Sequence, residues 1–141
     1  MLTMLSLFGF NACNNDKNDT NNVETTLENT TDTEIAYEQI SQTQAKQIMD
    51  SSTDYLIVDA RTSEEFSEGH IKNAINLDYE EVTQKAESLL PDKNQLILIY
   101  CRSGRRSKIA AQSLCELGYT NVKEFGGIID WQYEVVQDDA Q

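Results

Sequence analysis

Histidine, cysteine and cationic side chains are all scarce in this sequence. One histidine and three cysteines in 141 residues leave no His/Cys cluster with zinc-ligand spacing, and an odd cysteine count cannot complete a disulfide framework. No metal site and no other cofactor is expected. Eleven Lys and Arg stand against 24 Asp and Glu, a formal net charge of −13. A surface of that sign repels polyanions, which argues against nucleic acid and against anionic lipid held by charge. Long apolar runs are missing too: the N-terminal stretch MLTMLSLFGF falls short of the roughly 20 apolar residues that a membrane-spanning helix needs. Hydrophobic residues make up 39%, below the roughly 45–50%, glycine included, of an ordinary globular chain. Part of the chain therefore contributes nothing to a core, and the length fits one compact domain with a tail.

The deficit lies before residue 40. Asn11 to Thr33 reads NACNNDKNDTNNVETTLENTTDT, a stretch with no aromatic residue and too little apolar surface to offset chain entropy. It is expected to be a disordered tether over residues 13–36. In front of it, an apolar run ends in Ala12 and Cys13, long enough for the apolar region of an export signal, at about 7–15 residues. Residues 1–12 resemble a bacterial lipoprotein signal peptide, which implies lipidation of Cys13. The expectation is an exported protein anchored through lipid and facing the periplasm or extracytoplasmic side, with the tether as a solvated leash.

From Tyr37 onward apolar runs alternate with helical patterns. Ser41 and Gln44 form a capping box for a helix through Ala45, Ile48 and Met49. YLIVDA (Tyr55–Ala60) and QLILIYC (Gln95–Cys101) are nearly continuous apolar runs, as in parallel strands buried on both faces. Between them come a short acidic helix at Ser63–Glu68 stopped by Gly69, a strand at Ala74–Leu77, and a helix at Glu80–Leu90 ended before Pro91. A basic turn follows, then a helix to Leu117 capped by Gly118, a strand at Val122–Phe125, a Gly126-Gly127 break, and a last helix holding Ile128, Ile129 and Trp131. The pattern predicts an α/β fold, a central parallel sheet with helices on both faces.

Chemistry concentrates in Cys101-Arg102-Ser103-Gly104-Arg105-Arg106-Ser107-Lys108, between the second apolar strand and the next helix. Open parallel sheets bind ligands beyond the carboxyl ends of their strands, and a helix N-terminus adds unpaired N–H groups and a positive dipole end. A thiol there, beside arginines, can ionise well below its ordinary pKa of about 8.5, and needs no base to do so. Residues 41–141 hold 10 Lys and Arg against 17 Asp and Glu, a net of −7, yet four of those ten cations fall within residues 102–108. Clustered guanidinium groups suit a small anion with several oxygens.

At these residues the sequence resembles the rhodanese-like domains. VDART-SEEF-SEGHIKNAINL (Val58–Leu77) is similar to that family's first motif, CRSGRRS (Cys101–Ser107) to its active-site loop, and AAQSLCELGYTNVKEFGGIIDW (Ala110–Trp131) to its ending. The resemblance covers residues 37–136, with 137–141 expected as a flexible tail. It implies a sulfurtransferase in which Cys101 carries a sulfane sulfur as a persulfide; a monomer is expected. The donor implied is a small sulfur anion such as thiosulfate, or a persulfide or polysulfide, and the acceptor is a thiol, a partner protein or cyanide. The substrate-binding residues implied are Arg102, Ser103, Gly104, Arg105 and Arg106, whose backbone would cradle the persulfide, with Arg102 and Arg106 contacting the donor. A sulfur-relay or thiol-redox module acting on a partner protein and a non-catalytic binding domain remain as alternatives. Cysteine phosphatases of related fold use His-Cys-x5-Arg; here Tyr100 and Ser107 occupy the His and Arg positions and the Arg falls one place early, which disfavours phosphatase or arsenate reductase activity.

Asp59 and Arg61 flank the end of a strand at the same carboxyl edge as Cys101 and are possible supporting residues, an internal salt bridge being the simpler role. His70 is expected to make a structural hydrogen bond and Trp131 to lie in the core. Cys115 sits some 16 Å along the helix axis from the loop at 1.5 Å per residue, too far for a disulfide with Cys101.

Overall fold

The computed structural model describes residues 36–138; the expected signal peptide, Cys13, tether residues 13–35 and tail residues 139–141 lie outside them. The chain runs β1 (Glu38–Gln39), α1 (Gln42–Ser51), β2 (Leu56–Asp59), α2 (Ser63–Glu68), β3 (His70–Ile71), β4 (Ala74–Asn76), α3 (Val82–Leu89), β5 (Ile97–Cys101), α4 (Arg105–Glu116), β6 (Val122–Gly127), a single 3-10 turn (Ile128–Asp130) and β7 (Val135–Val136). Five strands form a parallel sheet in the order β1-β6-β5-β2-β4. The α/β architecture expected from the alternation is the one observed.

Burial explains why β5 shows no apolar alternation. Every one of its residues is buried, because both sheet faces are covered. Ile97, Ile99 and Cys101 share a core with Val82 and Ala86 of α3 and Ala110 and Leu114 of α4. Leu98 and Tyr100 point the other way, into a cluster with Ala45 of α1, Ile57 and Phe125. The helices begin where the sequence offers caps: Ser41 and Thr62 each form a reciprocal capping box, with Gln44 and Glu65.

Three features differ from the sequence expectation. The last helix is one 3-10 turn, and Trp131 lies just beyond it in extended backbone, half-buried against Phe125. Gly126 and Gly127 end β6 instead of breaking the chain after it. The two-residue strands β1, β3 and β7 had no counterpart in the pattern, and β3 and β7 pair antiparallel in a separate small sheet. Gln137, assigned to the tail, donates to the Glu68 carbonyl at 2.7 Å.

A buried polar network locks the carboxyl ends of β2 and β5 together. The Asp59 carboxylate receives Nε and Nη2 of Arg61, Nη2 at 2.7 Å, and the Tyr100 hydroxyl at 2.6 Å. That hydroxyl in turn accepts from the Ile71 N–H. Burial, and then the Asp59 charge, push the Tyr100 phenol well above its ordinary pKa, so it stays protonated and donates. Removing one partner of a buried ion pair leaves the other charge uncompensated. Asp59→Ala is expected to lower unfolding free energy by about 3–5 kcal/mol in urea denaturation; a loss under about 1 kcal/mol, the size of a surface pair, would show that Arg61 finds water instead.

Candidate active site

Cys101 ends the central strand and is 1% exposed. Three backbone features shape the loop that follows. The β5–β6 register shifts between Ile99 and Cys101, which brings Gly127 opposite Cys101. A side chain at Gly127 would put its Cβ 2.0 Å from the Arg102 carbonyl oxygen, so only glycine admits the loop there. Gly104, the N-cap of α4, has φ 106°, a left-handed conformation that reverses the chain into the helix. The loop is then tied down from both sides: the Ile129 N–H donates to the Arg102 carbonyl at 3.1 Å, and Gln42 Nε2 to the Gly127 carbonyl at 2.7 Å.

This path turns backbone donors toward one atom. The Gly104 N–H lies 3.0 Å from Cys101 Sγ. Burial alone would push the thiol up. The Ser107 hydroxyl and the N–H groups of Ser107, Gly104 and Ser103 outweigh it and hold Cys101 below the ordinary thiol value. Cys115, half-buried on α4 with no such donors, is pushed up by burial. Both cysteines are free thiols.

The four cations play different parts. Arg106 is taken up by Glu65 in a bidentate pair, with Nη1 to Oε2 at 2.8 Å and Nη2 to Oε1 at 2.9 Å. Glu65 holds the pair through the α2 capping box, since its carboxylate also accepts from the Thr62 N–H. The Glu65 hydrogen bonds first, and after them the charges of Glu65 and Cys101, push the Arg106 guanidinium up against burial, so it favours the thiolate while its fork is occupied. Arg102 and Arg105 are exposed, and among the described residues neither has a salt-bridge partner. Lys108 lines a cleft of about 410 Å³ beside the loop together with Ser103, Gly104 and Glu124.

The other candidate residues fall outside this cradle. Asp59 and Arg61 pair with each other beneath the sheet edge. His70 is bonded through Nδ1 to the Phe66 carbonyl at 2.9 Å and stacks on the Phe66 ring at 3.8 Å. Two residues of the site, Glu65 and Glu124, are not marked as site residues by the sequence pattern, and Ser107 is placed in the loop without a role. Ser107 sits three positions after the N-cap, where a helix side chain faces the loop; Glu65 is the third helical residue of a capping box, a signal present in the sequence. Glu124 is a carboxylate in a strand position that needs an apolar side chain.

Comparison with known proteins places these residues in context. The sequence model of the Rhodanese-like domain matches residues 41–134. The chain is 38% identical over 73 residues to the thiosulfate sulfurtransferase PspE of Escherichia coli, covering 52% of this chain and 70% of that protein. It is 32% identical over 107 residues to the thiosulfate sulfurtransferase GlpE of Coxiella burnetii, covering 75% and 97%. Among solved structures, a rhodanese with anions from E. coli superposes with a TM-score of 0.56 at 35% identity, covering 59% of this chain and 98% of that one.

Arg106 and the hydrogen bonds of the capping box hold the Glu65 carboxyl down to about 2, against the opposing effect of burial, from an ordinary 4.5. A carboxyl lowered on folding adds stability that is complete above its unfolded pKa and disappears as pH falls through the folded one. The gap in urea midpoint between the protein and its Glu65→Gln variant should therefore be constant from neutral pH to about 5 and close between 4.5 and 2. A gap that does not change with pH would contradict the ion pair.

Proposed function

The chain belongs to the rhodanese-like domain family, and we propose that it is a sulfurtransferase that moves a sulfane sulfur through a persulfide on Cys101. The observation that carries this reading is the Gly104 N–H, 3.0 Å from Cys101 Sγ at the start of α4; against the effect of burial, the Ser107 hydroxyl and the loop N–H groups hold the thiol below its ordinary pKa. Such a cradle stabilises a sulfur anion, first the thiolate and then the outer sulfur of a persulfide. Relatives named thiosulfate sulfurtransferases favour thiosulfate as donor; a persulfide or polysulfide offers the same sulfane sulfur to Cys101.

The Cys101 thiolate attacks the outer sulfur of thiosulfate. A sulfur–sulfur bond to Sγ forms, the bond to the oxidised sulfur breaks, and sulfite leaves with its electron pair. An acceptor thiolate or cyanide then attacks the outer sulfur and Cys101 departs as thiolate, giving ping-pong kinetics. The exposed Arg102 and Arg105 bring the donor and receive the sulfite oxygens; Arg106, held by Glu65, fixes the loop and favours its anions. The protein acts as a monomer on a small donor and a thiol or protein acceptor.

We further propose that residues 1–12 direct export and that Cys13 carries the lipid anchor, on the sequence pattern described above. Recovery in the membrane fraction should be lost in Cys13→Ala; retention there would exclude that anchor.

Cys101→Ser should abolish thiocyanate formation from thiosulfate and cyanide, and the wild-type protein incubated with thiosulfate should gain the mass of one sulfur atom on the Cys101 peptide. Retained turnover, or no adduct, would overturn the assignment. Arg102→Ala should raise the KM for thiosulfate about tenfold, the loss of one charge-assisted hydrogen bond.

A further inference from the structure

An anion with several oxygens is met best by the planar fork of a guanidinium, and of the three arginines that follow Cys101 one has its fork filled. Glu65 Oε2 lies 2.8 Å from Arg106 Nη1 and Oε1 2.9 Å from Nη2. Both carboxylate oxygens and both terminal nitrogens are engaged, so an oxyanion can take that end of Arg106 only by displacing Glu65. The two side chains are 28% and 19% exposed, too sheltered for salt to screen them as it does a surface pair.

Glu65 is also held in place from behind. Its Oε2 accepts from the Thr62 N–H and the Thr62 hydroxyl, both at 3.2 Å, and its own N–H donates to Thr62 Oγ1 at 3.3 Å. Thr62 follows Arg61, whose Nη2 donates to Asp59 and to the Gly69 carbonyl at 2.6 Å, and whose carbonyl accepts from Asn76 Nδ2 at 2.8 Å. The short helix α2 is therefore tied at both ends to the end of β2, and it carries the carboxylate to Arg106 as a fixed group. Arg102 and Arg105, by contrast, are exposed and among the described residues have no salt-bridge partner.

We propose that Glu65 is a positioning residue that sets donor specificity: by filling the Arg106 fork it withholds one guanidinium from the donor oxygens and offsets its charge. Thiosulfate, with two negative charges, loses more by this than an organic thiosulfonate with one, because Coulomb energy scales with the charge of the ligand. The pair narrows the preference for a doubly charged donor, so that singly charged sulfane-sulfur anions are admitted beside thiosulfate. Sulfite, which leaves through the same cations, is held less tightly for the same reason. The proposal rests on sulfur transfer at Cys101 and adds the charge class of donor that the site accepts.

The test compares thiosulfate with methanethiosulfonate, a singly charged donor. In both, the Cys101 thiolate bonds to the outer sulfur, the bond to the oxidised sulfur breaks, and sulfite or methanesulfinate leaves with the electron pair. With cyanide as acceptor, kcat/KM of the full chain for each donor reads that half-reaction. Glu65→Gln keeps one acceptor oxygen but no charge, which releases one terminal nitrogen of Arg106. It is expected to raise kcat/KM for thiosulfate about tenfold, the gain of one charge-assisted hydrogen bond. For methanethiosulfonate the rise should be about threefold, half the energy for half the charge, and inhibition by sulfite should tighten about tenfold. A merely structural role for Glu65 would lower both donors by one factor and leave their ratio unchanged, which would overturn the proposal. Glu65→Gln combined with Arg106→Lys keeps the cation without the fork; sulfite should inhibit it less than Glu65→Gln alone, and undiminished inhibition would count against the proposal as well. If Glu65→Gln fails to fold, a crystal of the native protein soaked in sulfite decides. The anion should sit on Arg102 or Arg105 with the Arg106 pair intact, and an anion in the Arg106 fork with Glu65 displaced would contradict the assignment. None of these results touches the sulfur-transfer reading, which the mass of the Cys101 peptide tests separately.

Discussion

The structure depends on keeping one sulfur anion at the buried end of a strand. A thiolate cut off from water reverts to thiol unless donors replace the lost solvation, and here the replacement is built from backbone. The register shift between β5 and β6 sets Gly127 against the loop, Gly104 in a left-handed conformation turns the chain, and α4 begins with its N–H groups toward Sγ. Any side chain at Gly127 would expel the loop, so the anion's environment is fixed by sheet geometry as much as by the loop's own residues.

Adjacent residues on β5 divide the work because a strand alternates faces. Tyr100 points to one side and is held by Asp59, Arg61 and the Ile71 N–H, which fixes the strand end. Cys101 points to the other side, under α4, and is left free to react. The same division explains the arginines. A domain of net negative charge needs local cations to meet an anionic substrate; Arg106 is spent on Glu65 to hold the loop, while Arg102 and Arg105 stay exposed at its rim.

The parallel sheet was legible because β2 and β5 carry long apolar runs, and α1 and α2 because Ser41 and Thr62 begin capping boxes with Gln44 and Glu65. Strands of two residues, β1, β3 and β7, have no periodicity to read. The last helix was misread because two glycines look like a break; at Gly127 the glycine serves a close approach and the backbone stays extended at φ −132°. Cys101 and its basic turn stood out by local charge. Arg106–Glu65 and Ser107–Glu124 did not, since their partners lie 41 and 17 residues apart and meet only once the sheet is assembled. A glutamate in a strand was the one visible sign of the second pair.

The central claim, that the loop is built to hold a sulfur anion on Cys101, is tested most directly by a crystal structure of the protein soaked in thiosulfate. The account predicts one additional sulfur bonded to Cys101 Sγ and lying within hydrogen-bond distance of the loop N–H groups. An unmodified Sγ, with thiosulfate bound elsewhere or with the loop donors turned away, would contradict it.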